Sequence, residues 1–326
     1  MKIAPLILQA QRKLPKSSGV YLFLGCQDQP LYIGKSVNLR SRVGSYLREK
    51  ATDQEGRIRR MVSEAKSLRH IETTSELLAL LLEDALIKRY LPVYNIRQKQ
   101  FREYCYLRLT EDPFPRLEVF DDPTGISSRV YGPFRDRYFI DNIQQVLSRY
   151  LGFRSCTDAN PTQSCIQLDL GQCLGPCVLN GVHEQYKAVS LQVAQFLEGN
   201  DPGVIHLIES EISESIDALQ FEHAKRLRDD LVFCDSFFSR QRFNHRFRTH
   251  KLLIKASADL GPGYHFENGA LKEIILKEGR ISEVGEQLDI FELSQIPEDD
   301  PRFLLDRANL VYNWLNRNKV GFEFSR

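Results

Sequence analysis

Two short β-patterned runs separated by a polar turn constrain this chain more than any other stretch. In the first, Gly19 to Leu24, the residues Val20, Leu22 and Leu24 alternate with Tyr21 and Phe23; in the second, Leu31, Tyr32 and Ile33 precede Gly34 and Lys35. Gly25, Gln27, Asp28, Gln29 and Pro30 supply turn chemistry between them, so the pair predicts a hairpin. The following residues offer Ser36 or Asn38 as a helix cap and place Arg40 and Arg42 in the first turns. A hairpin feeding a basic helix gathers phenols and guanidinium groups, a surface suited to phosphate.

Around this centre the pattern predicts a short helix over Ala4–Lys13, a second over Asp53–Ser67 and a strand over Leu68–Thr73. Ser75 with Glu76 opens a long helix, Leu77–Tyr90, which Pro92 closes. Within it, Glu83 and Asp84 interrupt a leucine-rich run. A carboxylate there is costly to bury without a partner, and the residues alone are satisfied by an exposed helix edge.

Charge is unevenly placed. The net charge is +1, yet residues 1–110 hold about 20 Lys and Arg against about 10 Asp and Glu. A basic amino-terminal third suits a polyanion. No apolar run is long enough to cross a bilayer, and residues 1–14 do not make a secretion signal. Of seven cysteines, Cys156, Cys165, Cys173 and Cys177 cluster. That odd total, without a secretory signal, points to reducing cytoplasm and a metal site. Four thiolates at this spacing suit Zn²⁺ or an iron–sulfur cluster and do not choose between them. Cys26, Cys105 and Cys234 have no partner spacing and are expected to be buried thiols.

In the middle of the chain, Tyr104–Leu109, Arg116–Phe120 and Arg129–Tyr131 are strand-like, and Asp141–Arg149 is helical. Helices over His183–Glu198 and from Val204 to Leu219 lead to Phe221, Glu222, Arg228 and Asp229 at the start of another, predicting an antiparallel helix pair. Its apolar stripe is too narrow for a core of its own. Lys251–Lys255, Gly263–Phe266 and Leu271–Leu276 are strand-like, and Asp300–Asn318 is a helix.

The series G-V-Y, Y-I-G-K and N-L-R-x-R, then Glu76 to Asn95 in the register E-x-x-x-L-L-L-E-x-x-x-I-K-x-x-x-P-x-Y-N, resembles the UvrC family of GIY-YIG nucleases, in a short, Cho-like layout matching the amino-terminal half of UvrC. The resemblance covers roughly residues 15–240 and includes C-L-G-P-C and the L-x-F-E-x-A helix start of a UVR motif. It implies that Glu83 ligates one Mg²⁺ or Mn²⁺ and that Arg42 grips the scissile phosphate. Tyr21 and Tyr32 position or deprotonate water, with Lys35 as the cation that makes a phenol basic enough. Tyr46 and Asn95 complete the phosphate and substrate contacts, and Arg40, Arg42 and Lys35 meet DNA. At the four cysteines it implies a [4Fe–4S] cluster, with Zn²⁺ second. Phe221 becomes an apolar anchor for UvrB, with Glu222 and Arg228 as paired charges that stabilise the hairpin and interface, and Asp229 beside them at the partner surface.

The expected fold class is therefore α/β. A small mixed-sheet nuclease domain (residues 1–100) precedes a four-cysteine middle region (101–200). A UVR-type helical hairpin (201–240) and an α+β carboxy-terminal region of unassigned role (241–326) follow. The expected function is a cytoplasmic DNA-repair endonuclease that makes the 3′-side incision at damaged double-stranded DNA with UvrB. With one nuclease site and no room for the family's second nuclease, one incision is expected. The alternatives are a stand-alone structure-selective endonuclease and a non-catalytic UvrB-binding adaptor.

Overall fold

A computed structural model describes residues 3–48, 56–95, 104–123, 129–134, 137–156, 163–257, 261–276, 281–283 and 301–325. The chain forms two compact units, Met1–Arg102 with Phe247–Arg326, and Glu103–Arg246. The class is α/β, as the residue patterns predict.

The first unit is built on β1 (Gly19–Leu24), β2 (Pro30–Ser36) and β3 (Ser67–Glu72), in the order β2–β1–β3. Both pairings are antiparallel, where a mixed sheet was expected. The short turn after β1 permits only an antiparallel partner, and β3 returns along the other side of β1 in the same sense as β2. Every residue of β1 is buried because both sheet faces are covered. Tyr21 and Phe23 face α1 (Pro5–Lys13), α2 (Leu39–Tyr46) and α3 (Arg57–Glu64), whose Ile7, Leu39, Val43, Met61 and Val62 join them in one core. Residues 53–55, the start of the helix predicted over Asp53–Ser67, lie outside the described residues.

Val20, Leu22 and Leu24 face the other way, with Ile33, onto Ala79, Leu82, Leu86 and Ile87 of α4 (Glu76–Tyr90). Ser75 caps α4 by accepting a hydrogen bond from the Leu78 N–H at 3.1 Å. Leu91, at φ 46°, ends it before Pro92.

The remainder of this unit comes from the carboxy-terminal region. It carries an antiparallel sheet whose neighbouring strands run in the order Ile281–Glu283, Ala270–Ile275, Gly263–Glu267, Lys251–Ile254 and Phe322–Ser325, and a helix over Pro301–Asn318. This carboxy-terminal helix packs on α4. The sequence patterns missed the last strand and the one at Ile281.

The second unit holds β4 (Cys105–Leu109), β5 (Leu117–Phe120) and β6 (Val130–Phe134), ordered β5–β4–β6 and antiparallel. Helices α5 (Arg137–Leu151), α6 (Ile166–Asp169), α7 (His183–Leu197), α8 (Gly203–Asp217) and α9 (Phe221–Thr249) follow. The hairpin stripe of α8 and α9, including Ile208, Leu227 and Phe237, is buried with Ile143 of α5 and Phe196 of α7. The hairpin thus shares a core, as its narrow stripe requires. Among the described residues, no helix is long and apolar enough to cross a membrane.

Candidate active site at the edge of the first sheet

Strand β2 is an edge, and its outward backbone groups decide where the site forms. Tyr94 N–H donates to the Leu31 carbonyl at 3.0 Å. Asn95 then imitates a neighbouring strand: its Oδ1 accepts from the Ile33 N–H at 2.9 Å and its Nδ2 donates to the Ile33 carbonyl at 2.7 Å. Next along the edge, the Lys35 N–H donates to Glu83 Oε1 at 3.0 Å. The free edge of a sheet demands such partners, and two side chains supply them. Glu83 is half-buried, held at the sheet edge rather than free in solvent.

From the opposite face come three phenols. The Tyr46 hydroxyl lies 3.0 Å from that of Tyr21 and 3.4 Å from that of Tyr32. Tyr46 is the hub because α2 ends there, pointing its ring between the two strands. The Arg42 guanidinium, one turn earlier, stands 5.0 Å from the centre of the Tyr46 ring. Tyr21 is 1 % exposed and Tyr46 6 %, whereas Tyr32 is half-buried and close enough to Glu83 to feel its charge. Burial, then the neighbouring phenols, push the Tyr21 hydroxyl well above its ordinary pKa, and Arg42 opposes this. Burial likewise raises Tyr32, reinforced by Tyr46 and Glu83.

Gly34 explains why the ring of Tyr21 fits. The two residues are opposite each other across the strands. A Cβ at Gly34 would stand 2.4 Å from the Tyr21 hydroxyl oxygen and 2.5 Å from Cζ.

Two of the expected site residues are engaged within the protein. The Lys35 ammonium is 2.6 Å from Glu76 and is held on the first turn of α4, so the cation facing the phenols is Arg42 instead. Asn95 is 5 % exposed and bonded to Ile33 on both sides of its amide, so it fastens the sheet edge beside Glu83. Arg40 donates from Nε to the Leu14 carbonyl at 2.5 Å, tying α2 to the end of α1.

The sequence reading missed Arg317, which holds Glu76 at 2.9 Å, and Asp306, which meets Lys88 at 3.1 Å. A signal was present: Leu77, Leu78, Ala79, Leu82, Ala85 and Leu86 spread over more of α4 than one sheet face covers, so the helix needs a second covering layer.

In the second unit, Cys156, Cys165, Cys173 and Cys177 line one cavity of about 30 Å³ together with Arg154. Burial raises the Cys173 thiol, and the other three cysteines raise it further, while the Gly175 N–H donates to its sulfur at 3.4 Å and opposes the rise. Among the described residues, no three or more His, Cys, Asp or Glu side chains close on a point that would hold one metal ion. Cys105 and Cys234 are buried as expected, but Cys26 is exposed.

At the hairpin, Phe221 is 62 % exposed and Leu219 73 %. Glu222, Arg228 and Asp229 are exposed, and among the described residues no ion pair joins Glu222 to Arg228. Across the hairpin, His223 lies 3.4 Å from Glu211. Asp230, rather than Asp229, accepts from Tyr150 at 2.8 Å and pairs with Arg149.

Comparison with known proteins matches residues 17–96 to the UvrC-like GIY-YIG domain and residues 104–196 to the middle domain of the UvrC/Cho excinucleases. The chain belongs to the UvrC family. The UvrABC system protein C of Methanothermobacter thermautotrophicus is 34 % identical over 229 residues, 70 % of this chain and 39 % of that protein. The corresponding protein of Carboxydothermus hydrogenoformans is 32 % identical over 261 residues, 78 % of this chain and 42 % of that protein. This UvrC-family chain therefore spans about two fifths of the length of the relatives it matches. Among solved structures, the magnesium-bound GIY-YIG N-terminal endonuclease domain of UvrC from Thermotoga maritima is 36 % identical, is covered entirely by 29 % of this chain and has a TM-score of 0.26.

Proposed function

We propose that this UvrC-family chain is a divalent-metal-dependent endodeoxyribonuclease of nucleotide excision repair, making the 3′-side incision at a lesion in a complex with UvrB. The observation that carries the reading is the meeting of three phenols and Glu83 at one sheet edge, with Arg42 beside them.

The residues fit a hard cation that keeps most of its waters. Glu83, held at the sheet edge by the Lys35 N–H, is the carboxylate that would ligate such an ion. A bound Mg²⁺ or Mn²⁺ supplies charge stabilisation for phosphoryl transfer and lowers the pKa of nearby water. The protein's own groups do the rest. Arg42 binds the scissile phosphate and opposes the charge that grows on its oxygens. Tyr32, half-buried and facing Glu83, orients the attacking water and, once its own proton has passed to solvent, takes the water's proton as a phenolate, while Tyr46 and Tyr21 hold the Tyr32 oxygen in place through their shared hydrogen bonds. Because burial raises both phenols, proton abstraction depends on positive charge at the site. Lys35 and Arg40 contribute to the field that attracts DNA.

Incision of a duplex carrying one lesion, with Mg²⁺ and with or without UvrB, tests the reading. A UvrB-dependent 3′ nick is expected. Cutting of branched DNA without UvrB would favour a stand-alone nuclease, and no cutting an adaptor. Gly34→Ala displaces the Tyr21 hydroxyl and is expected to slow nicking about 10²-fold, as misplacement by an ångström does; DNA affinity measured alongside remains.

The exposed Phe221 and Leu219 at the hairpin tip suit a protein partner, and we assign this surface to UvrB. Phe221→Ala is expected to weaken that complex by about 2 kcal/mol or more, read by calorimetry. An unchanged affinity removes the assignment.

The cysteine cavity suits a metal–sulfur centre, whose chemistry here is structural or redox. Zn–S bonds of about 2.3 Å require the sulfurs to close tightly on one ion. The four thiols sharing one cavity suit either centre, and the family resemblance is what puts [4Fe–4S] before zinc. Anaerobically purified protein should be brown, absorb near 400 nm and contain about four irons; stoichiometric zinc without iron would contradict this.

A further inference from the structure

The proposed function leaves the carboxy-terminal region without a role, yet that region is bonded to the Glu83 helix at three levels. At the helix start, the Tyr264 hydroxyl donates to Ser75 Oγ, the same oxygen that caps α4. In the first turn, Arg317 holds one oxygen of Glu76 at 2.9 Å while the other holds Lys35 at 2.6 Å, and the Lys35 N–H in turn holds Glu83. Beyond Glu83, Lys88 is enclosed between Asp84 at 2.6 Å and Asp306 at 3.1 Å, with its ammonium 5.0 Å from the Phe303 ring. The Lys88 side chain is 3 % exposed and that of Asp306 5 %, so water competes little with these bonds.

The two faces of α4 therefore do different jobs. On the sheet side, Ala79, Leu82, Leu86 and Ile87 contribute apolar contacts. Apolar attraction is non-directional; it sets the distance of helix from sheet but tolerates small slides along the axis. Hydrogen bonds and ion pairs are directional. Those from the carboxy-terminal region lie on both sides of Glu83 along the helix and fix its axial position and roll. A ligand carboxylate must be held to within about 0.5 Å.

We propose that the carboxy-terminal region is the positioning layer of the metal-ligand helix. Asp306 and Arg317 are positioning residues that act on Glu83 through Lys88 and Glu76. The inference rests on Glu83 being the metal ligand.

The experiment is a Mn²⁺ titration of the full chain without DNA, following the electron paramagnetic resonance of free Mn²⁺. It compares wild type, Glu83→Gln, the double variant Asp306→Asn/Arg317→Gln, and Lys255→Gln. The last breaks an exposed ion pair with Glu323 in the same unit and controls for general loosening. The double variant is expected to bind Mn²⁺ about 3- to 10-fold more weakly, at or below the lower end for outer-sphere partners of metal ligands because these residues act one contact further out. Nicking should recover at saturating Mn²⁺ with KM for DNA unchanged, and Lys255→Gln should match wild type. Wild-type Mn²⁺ affinity in the double variant, whatever its melting temperature, overturns the inference. If that variant does not fold, Arg317→Gln alone gives the same reading, and Arg317→Lys should restore affinity. Loss of Mn²⁺ binding in Glu83→Gln with none in the double variant refutes the positioning role alone. Wild-type binding in Glu83→Gln refutes the metal-ligand reading as well.

Discussion

Glu83→Gln is expected to silence strand nicking, a loss on the order of 10³-fold, the scale of removing one stabiliser of transition-state charge. Duplex DNA binding survives. Glutamine keeps the length of the side chain, and its carbonyl oxygen still accepts from the Lys35 N–H, so the sheet edge stays closed. What disappears is the negative charge that a hard cation requires. Single-turnover nicking of a lesion-bearing duplex at saturating Mg²⁺ measures the effect. Glu83→Asp, which retains charge but shortens the reach, should fall between glutamine and wild type.

The second large effect is on stability. Lys88→Met is expected to destabilise the fold by about 3–5 kcal/mol, because it leaves Asp84 and Asp306 facing each other without the cation between them. Burial raises the Asp84 carboxyl above its ordinary range and Asp306 adds to this, while Lys88, and less strongly Arg307, oppose the rise, so losing the lysine removes the larger opposing charge. Urea unfolding checks this through the midpoint. Replacing all three residues by apolar ones of like volume should regain most of the stability, since apolar packing often equals a buried ion pair. That variant should nevertheless bind Mn²⁺ weakly, because apolar contacts restore cohesion and not register. A stable triple variant with wild-type metal affinity would separate the two roles against this account.

Much of the first unit was legible in the chain. The alternation of Val20, Leu22 and Leu24 with Tyr21 and Phe23 gives a strand covered on both faces, and the structure buries all of them. Asn38 and Ser75 were readable as helix caps, and both accept the capping bonds. The approach of Tyr21, Tyr32, Tyr46 and Glu83 was inferred from family spacing, because no local pattern says which side chains meet across a sheet.

The rest depended on contacts between distant residues. Asn95 looked like a substrate contact because its motif ends there; only the position of β2 at a sheet edge shows why its amide is bonded to Ile33. Lys35 follows the phenols in sequence, but its partner Glu76 lies on another element. The carboxy-terminal region had visible strands and an apolar helix, but no sign that they would join the amino-terminal module. The wide leucine pattern of α4 was compatible with a second covering layer, but Glu83 and Asp84 were equally satisfied by an exposed edge. At the hairpin, the family resemblance implied Glu222 with Arg228, whereas His223 meets Glu211 across the helices.

Anomalous diffraction from Mn²⁺-soaked crystals of the full chain tests the central claim most directly. The account predicts a Mn²⁺ peak about 2.1 Å from a Glu83 carboxylate oxygen, at the sheet edge beside the Tyr32 hydroxyl, with water completing most of its coordination. A Mn²⁺ site elsewhere in the first unit, with Glu83 bonded only to protein at saturating metal, would contradict it.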